Sequence, residues 1–251
     1  LPFPLITDPW FYAAAIPAVL LMGLSKSGFG AGFGSLATPI MALSIPVPQA
    51  AAIMLPLLLV MDGMGLKLLF QQRDKDLLRL LLPAGLLGTA LGTVLFGLLS
   101  AKTVAGVVGA LTLLFLAQRL LFPPRRDVRP PPRWLGFGLG IASGFASFVS
   151  HAGSPPILSY VLPLRLAPLT FSATIATFLA TINLSKWGPY AWLGLIDWPN
   201  MATALALLPL APLGVWLGVK LTPRVSQKLF YRVAYSGMFF TGVKLLWDGL
   251  K

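Results

Sequence analysis

The chain has 251 residues, 57% hydrophobic and 10% charged, with mean hydropathy +0.83; apolar runs of the roughly 20 residues a bilayer crossing needs recur throughout, which excludes a soluble domain. The formal charge of +12 would suggest nucleic acid in a soluble protein, but much of the surplus lies in loops, the pattern of membrane topology, so no nucleic-acid partner is expected. Zero cysteines exclude a disulfide framework, a thiolate metal site and a thiol nucleophile.

In chain order, the N-terminus has no basic n-region before its apolar stretch, so no cleavable signal peptide is expected. The first apolar stretch, 10–45, contains GLSKSGFGAGFGSLATP over 23–39. Glycine and proline this dense break a helix, and an unpaired backbone group in lipid costs several kcal/mol. Such a segment survives only buried in protein or lining a cavity, so 10–45 is read as a helical hairpin with its tip at 26–35. Full spans follow at 48–70, 77–99 and 103–122. Asp62 is the one acid well inside a span. It pairs structurally with Lys67, the plainer reading, or lines the path as a proton site, because an unpaired buried carboxylate tends to take up a proton.

The stretch FPPRRDVRPPPRW at 122–134 is polar and proline-rich, so 123–133 is a linker between a first unit, 1–122, and a second, 134–251. The second opens on a hairpin at 134–164 containing GIASGFASFVSHAGSPP (140–156), with its tip at 146–154, followed by spans at 168–193, 198–219 and 226–247. The halves are related. Ser27-Gly28-Phe29 registers on Ser143-Gly144-Phe145 with a shift of 116 (143 − 27), which also puts Pro39 on Pro155. Pro83, Gly88 and Gly92 match Pro209, Gly214 and Gly218 with a shift of 126 (209 − 83), and Ser100 falls on Ser226. Arg125, Arg126, Arg129 and Arg133 place the linker on the cytoplasmic side, with Arg73, Lys75, Arg79, Arg165, Lys220, Arg224 and Lys228 also inside. Lys102, Lys244 and Lys251 fall outside. Each half then makes a returning hairpin and three crossings. The expected fold is an all-α polytopic membrane protein of two inverted-topology repeats, each a glycine- and proline-broken hairpin plus three full transmembrane helices. Two ordinary spans in place of each hairpin would leave the orientation unchanged.

The hairpin tips are the candidate site. Gly28, Gly30, Gly32, Gly34 and Gly153 let backbone N–H groups approach a ligand closely. The hydroxyls of Ser27, Ser35, Thr38, Ser150 and Ser154 add further hydrogen-bonding groups. Thr38-Pro39 and Ser154-Pro155 read as helix starts, which add partial positive charge. Two facing tips make a small anion cradle; the plainer reading is that small residues merely let helices pack. Lys26, at the edge of the first tip, is costly at membrane depth and is a candidate anion partner, unless it snorkels to water. His151, the only histidine, is a candidate for substrate binding or a coupled proton; a hydrogen-bonded neutral imidazole is the bland alternative. Asp62 is the other proton candidate. Asn183 and Lys186 occupy the comparable span of the second half and would face a central cavity. Trp187, Tyr190, Trp192 and Trp198 read as an interfacial aromatic belt. A lone histidine, no Glu and scattered Asp give no zinc spacing, and neither a dinucleotide nor an ATP motif is present, so no metal, cofactor or catalytic residue is expected.

With its two similar halves, each opening on a small-residue motif that ends in proline, the sequence resembles the sulfite exporter TauE/SafE family over nearly its whole length. GFGAGFGSLATP is close to the family's glycine-rich run; SGFASFVSHAGSPP departs, with Ser150 and His151 where small residues are usual. The resemblance implies a secondary transporter, often an exporter, of a small sulfur-containing anion such as sulfite or an organosulfonate, in a bacterial inner membrane. Its partners would be that anion and the lipid bilayer, and a homo-oligomer stays open. Two other classes remain at this point. A membrane enzyme of the undecaprenyl pyrophosphate phosphatase type shares intramembrane hairpins but would want acids and an arginine at the tips, and a passive anion channel would share the cradle.

Overall fold

The computed structural model describes residues 5–27, 33–121, 130–221 and 227–251, and these are all-helical, without strands. The tip glycines Gly28, Gly30 and Gly32, the linker arginines Arg125, Arg126 and Arg129, and Arg224 and Ser226 lie outside the described residues. Five helices are long and apolar enough to cross a membrane: Val47–Lys67, Lys75–Leu98, Ala101–Gln118, Pro168–Trp192 and Trp198–Leu221. They coincide with five of the six expected spans. The sixth falls on a helix of spanning length, Gln227–Leu250, that is not among those five.

The first broken stretch folds as α1 (Pro9–Lys26), a 3-10 turn (Phe33–Leu36) and α2 (Ala37–Met41). Then come α3 (Val47–Leu69), α4 (Lys75–Leu98) and α5 (Ala101–Leu121). The second broken stretch is α6 (Arg133–Ser150), α7 (Ser154–Val161) and a 3-10 turn (Leu162–Leu164). After it run α8 (Pro168–Ser185), α9 (Trp187–Trp192), α10 (Trp198–Leu207), α11 (Leu210–Leu221) and α12 (Gln227–Leu250). At about 1.5 Å per residue, the 8 residues of α7 rise only about 12 Å against a hydrocarbon core of about 30 Å, so the return arm cannot span.

Local chemistry explains the boundaries. Asp8, Asp74 and Asp197 cap α1, α4 and α10, accepting from Trp10 N (3.0 Å), Leu77 N (2.9 Å) and Asn200 N (2.7 Å). Asp76 and Asp248 make surface ion pairs with Arg79 and Lys244. Of the described acids, that leaves Asp62 alone in the interior. The breaks between α8 and α9 and between α10 and α11 precede Pro189 and Pro209, which lack the N–H an uninterrupted helix needs.

Packing relies on glycine. Helix α4 lies against α6, α1 against α11, α5 against α12 and α3 against α8. In the first crossing a Cβ on Gly144 would overlap the Gly85 carbonyl, and one on Gly88 the Ile141 carbonyl. In the second, a Cβ on Gly23 would sit 2.6 Å from the Gly214 carbonyl carbon. In the third, Gly106 faces Gly249, and Gly109 faces Leu246. Lipid tails are as apolar as leucine, so such backbone-to-backbone contact, through dispersion, is what holds membrane helices together.

Candidate functional site

Three helices and one helix end deliver charged or polar groups to a common interior region. Lys26 ends α1, Asp62 lies within α3, Asn183 lies near the end of α8, and His151 terminates α6. Lys186 sits at the break between α8 and α9. Their side chains form one continuous chain of bonds. The Lys26 ammonium pairs with Asp62 Oδ1, and Asn183 Nδ2 donates to Asp62 Oδ2 (2.7 Å). Lys186 Nζ donates to Asn183 Oδ1 (2.8 Å) and to His151 Nδ1 (2.9 Å). His151 Nε2 reaches the Ala51 carbonyl of α3 (2.9 Å). A carbonyl can only accept, so the ring proton is assigned to Nε2, and Nδ1 offers its lone pair to Lys186. Asp62 therefore pairs with Lys26 and Asn183, across helices, and not with Lys67 on its own helix as the sequence suggested. Lys186 is 0% exposed.

His151 has φ 55°, in the left-handed region that usually goes to glycine at a helix end. His151 N donates to the Ser147 carbonyl (2.9 Å), the closing bond usual for such an end, and Ala152 N reaches one residue further back, to the Ala146 carbonyl (3.2 Å). A non-glycine residue here costs of order 1 kcal/mol, and the imidazole's bonds to Ala51 and Lys186 offset that strain. Because Ala152 turns back to Ala146, the Phe148 carbonyl loses its helical donor, and Tyr190 Oη donates to it (2.6 Å). Tyr190 is fully buried and edge-on to Phe148 (ring centroids 5.1 Å apart), so it anchors the second tip and is no part of an interfacial belt. Trp192 and Trp198 are exposed, as a belt residue is. Tyr190→Phe is expected to destabilise the fold by about 1–2 kcal/mol, since it orphans a buried carbonyl, and to show as a lowered melting temperature of the detergent-purified protein.

A cavity of about 190 Å³ opens beside this chain of bonds. Of the residues singled out from sequence, Lys26, Gly34, His151, Ser154 and Asn183 line it, and Lys186 lies behind His151 and Asn183. Others point elsewhere. Ser27 Oγ donates to the Leu24 carbonyl (2.8 Å), and Ser150 Oγ to the Ala146 carbonyl (3.4 Å). Thr38 is buried, with its hydroxyl unpartnered among the described residues. The Gly153 carbonyl accepts from Ser143 Oγ (2.5 Å), and a Cβ there would press on Ser147 (2.7 Å). Ser35 lines a separate cavity of about 90 Å³ near α5 and α12. The helix starts also differ from expectation in what they offer. Pro155 and Pro156 have no N–H, so the first turn of α7 presents only the Ser154 and Ile157 amides, and α2 has five residues.

Sequence reasoning missed Ser25, Ser147 and Ser172, which also line the main cavity. Two of them were detectable. Ser143, Ser147 and His151 recur every four residues on one face of α6, and Ser172, Leu179, Asn183 and Lys186 follow one stripe of α8. Leu58, Phe171 and Ile175 are among the cavity's apolar lining. The described lining residues include an ammonium, hydroxyls and an amide, but no carboxylate. Such a lining can hold an anion or a neutral acceptor.

Spanning helices, broken hairpins and an interior ionic cavity define a polytopic membrane protein built around a buried polar site. The family model for sulfite exporter TauE/SafE matches residues 15–245, and the chain belongs to that family. Its members are membrane transporters and not enzymes, which sets aside the phosphatase alternative, and the family implies a small anionic substrate. No curated protein and no solved structure matches the chain.

Proposed function

We propose that the protein exports a small sulfur-containing anion, such as sulfite or an organosulfonate, across a bacterial inner membrane, by alternating access about the cavity between its hairpin tips. The observation that carries this reading is the cavity itself. Lys26 offers it a cation, Ser25, Ser147, Ser154 and Ser172 offer hydroxyls, Asn183 an amide, and the described lining holds no carboxylate. Lys186 and His151 stand in the adjoining network, and Gly34 of the first tip lines the cavity with them.

The architecture in this proposal is two inverted repeats, residues 1–122 and 134–251, with the linker 123–133 on the cytoplasmic side. The pairing of helices supports it. In the first repeat α4 packs on α6 of the second; in return α11 of the second packs on α1 of the first. Helices α3 and α8 pair like with like, as do α5 and α12. That reciprocity is what a two-fold axis in the membrane plane produces. The short return arms support it too, because a hairpin that comes back without crossing leaves each repeat with three crossings and turns the second upside down. Rocking one repeat against the other then exposes a single site to either side in turn.

The test is thermal unfolding of the detergent-purified protein with sulfite, sulfoacetate, taurine, sulfate, phosphate and a size-matched carboxylate. A ligand at about 100 times its Kd adds about 2.7 kcal/mol to the folded state, which is visible as a melting shift. The expected result is a shift with sulfite or a sulfonate and none with the carboxylate; no shift with any anion overturns the site. Saturable flux stimulated by substrate on the far side of reconstituted vesicles is then expected of a carrier, where a passive channel shows neither property.

A further inference from the structure

We propose that transport is coupled to protons through Asp62: one proton is taken up on this carboxylate each time a monoanion engages Lys26, so that anion and proton cross together. The inference rests on the anion site proposed above and goes beyond it by naming the coupling ion, the group that carries it and the reason for the exchange.

The Lys26 ammonium has an anion already, Asp62 Oδ1. Lys26 lines the cavity and Asp62 does not. An incoming anion can therefore reach the ammonium only from the cavity side, where it meets a cation whose charge is already balanced. Two anions would then share one cation at a place where the Asp62 side chain is 4% exposed. Two negative groups sharing one buried site do not both stay charged; one of them binds a proton. For a sulfonate, the anion of a strong acid, the proton has to go to Asp62. The charge balance closes: ammonium and carboxylate before; ammonium, substrate anion and carboxylic acid after. The net charge of the site is the same in both states, so the loaded carrier crosses with no added electrostatic cost. Asn183 Nδ2 continues to bond Asp62 Oδ2, because a carboxylic acid keeps acceptor capacity.

The titratable and charged groups that face Asp62 from its packed neighbours are Lys26 of α1, Lys186 beyond Asn183 of α8, and His151 at the end of α6. Lys186 is the competing source of balancing charge. Its nitrogen has two described partners, Asn183 Oδ1 and His151 Nδ1, both neutral acceptors, and those use the two N–H bonds of an uncharged amine. His151 is committed at both nitrogens, to Ala51 and to Lys186. Asp62 is the group whose partner the substrate contests.

The experiment is proton uptake by the full-length protein in weakly buffered detergent with a pH-indicator dye, on addition of neutralised methanesulfonate, with binding followed in parallel by the melting shift. The expected result is alkalinisation of about one proton per anion bound. Asp62→Asn is expected to bind methanesulfonate more tightly, since the internal competitor is gone, and to take up no proton. Binding by the wild-type protein without proton uptake overturns the coupling and assigns the balancing charge to Lys186; unchanged uptake in Asp62→Asn moves the proton to another group and overturns the assignment. If no anion, methanesulfonate included, shifts the melting of the wild type, the anion site itself fails and the coupling with it. The wild-type stoichiometry decides the coupling even where Asp62→Asn does not fold, and the Lys26→Met/Asp62→Leu variant, expected to take up no proton, then tests the assignment.

Discussion

Gly144→Val is expected to abolish the native packing of the two halves, and Gly138→Val, six residues earlier on the same helix, to leave it intact. A Cβ at 144 would overlap the backbone carbonyl of Gly85, and no rotamer change can move a carbonyl held in its own helix. Helices α4 and α6 must separate, and the dispersion contacts along the crossing go with them. The cost is about 3 kcal/mol or more, the upper end of what overpacking does, since the obstacle is backbone rather than a flexible side chain. Around Gly138 there is open space, so the same valine is expected to change stability by no more than about 0.5 kcal/mol. Size-exclusion profile and melting temperature of the two purified variants check the pair: aggregation or a large melting loss for the first and wild-type behaviour for the second. Equal behaviour of the two would mean that the crossing is looser than described.

Lys26→Met is the second large effect, and here stability and binding separate. Removing the ammonium leaves the Asp62 carboxylate buried with Asn183 as its remaining partner among the described residues. Breaking a buried ion pair from one side costs about 3–5 kcal/mol. In the double variant Lys26→Met/Asp62→Leu no charge is left to bury, so most of that loss is expected to return. The anion-induced melting shift, by contrast, is expected to vanish in both. Thermal unfolding of the single and double variants, with and without methanesulfonate, checks this. A double variant that melts as low as the single one would show that the ion pair's worth lies in packing and not in charge. Retention of the anion shift in either variant would remove Lys26 from the site.

Much of the fold was legible in the residues. Five of the spans coincide with apolar runs, because a helix that crosses lipid must hide about 20 consecutive backbone groups and can do so only with apolar side chains. The broken stretches at 10–45 and 134–164 were marked by glycine and proline, and Pro155-Pro156 opens α7 as the missing N–H of proline permits. Lys26, His151, Asp62, Asn183 and Lys186 were each conspicuous as polar groups where lipid tolerates few. What composition and spacing could not supply was who meets whom. Asp62 had a plausible partner five residues away in Lys67, and its actual partners come from α1 and α8. Tyr190 looked interfacial among tryptophans, yet it is buried because the end of α6 leaves the Phe148 carbonyl without a donor. Serines 27 and 150 looked like ligands for an anion, but short hydroxyls close the nearest backbone carbonyl of their own helix, a contact that local spacing always offers and only the packed structure chooses. Helix existence and membrane class follow from the free energy of each segment in lipid, which the chain's own residues determine. The site depends on how α1, α3, α6 and α8 pack together, with α6 and α1 held by glycine crossings to α4 and α11, so its pairings were decided only when the helices came together.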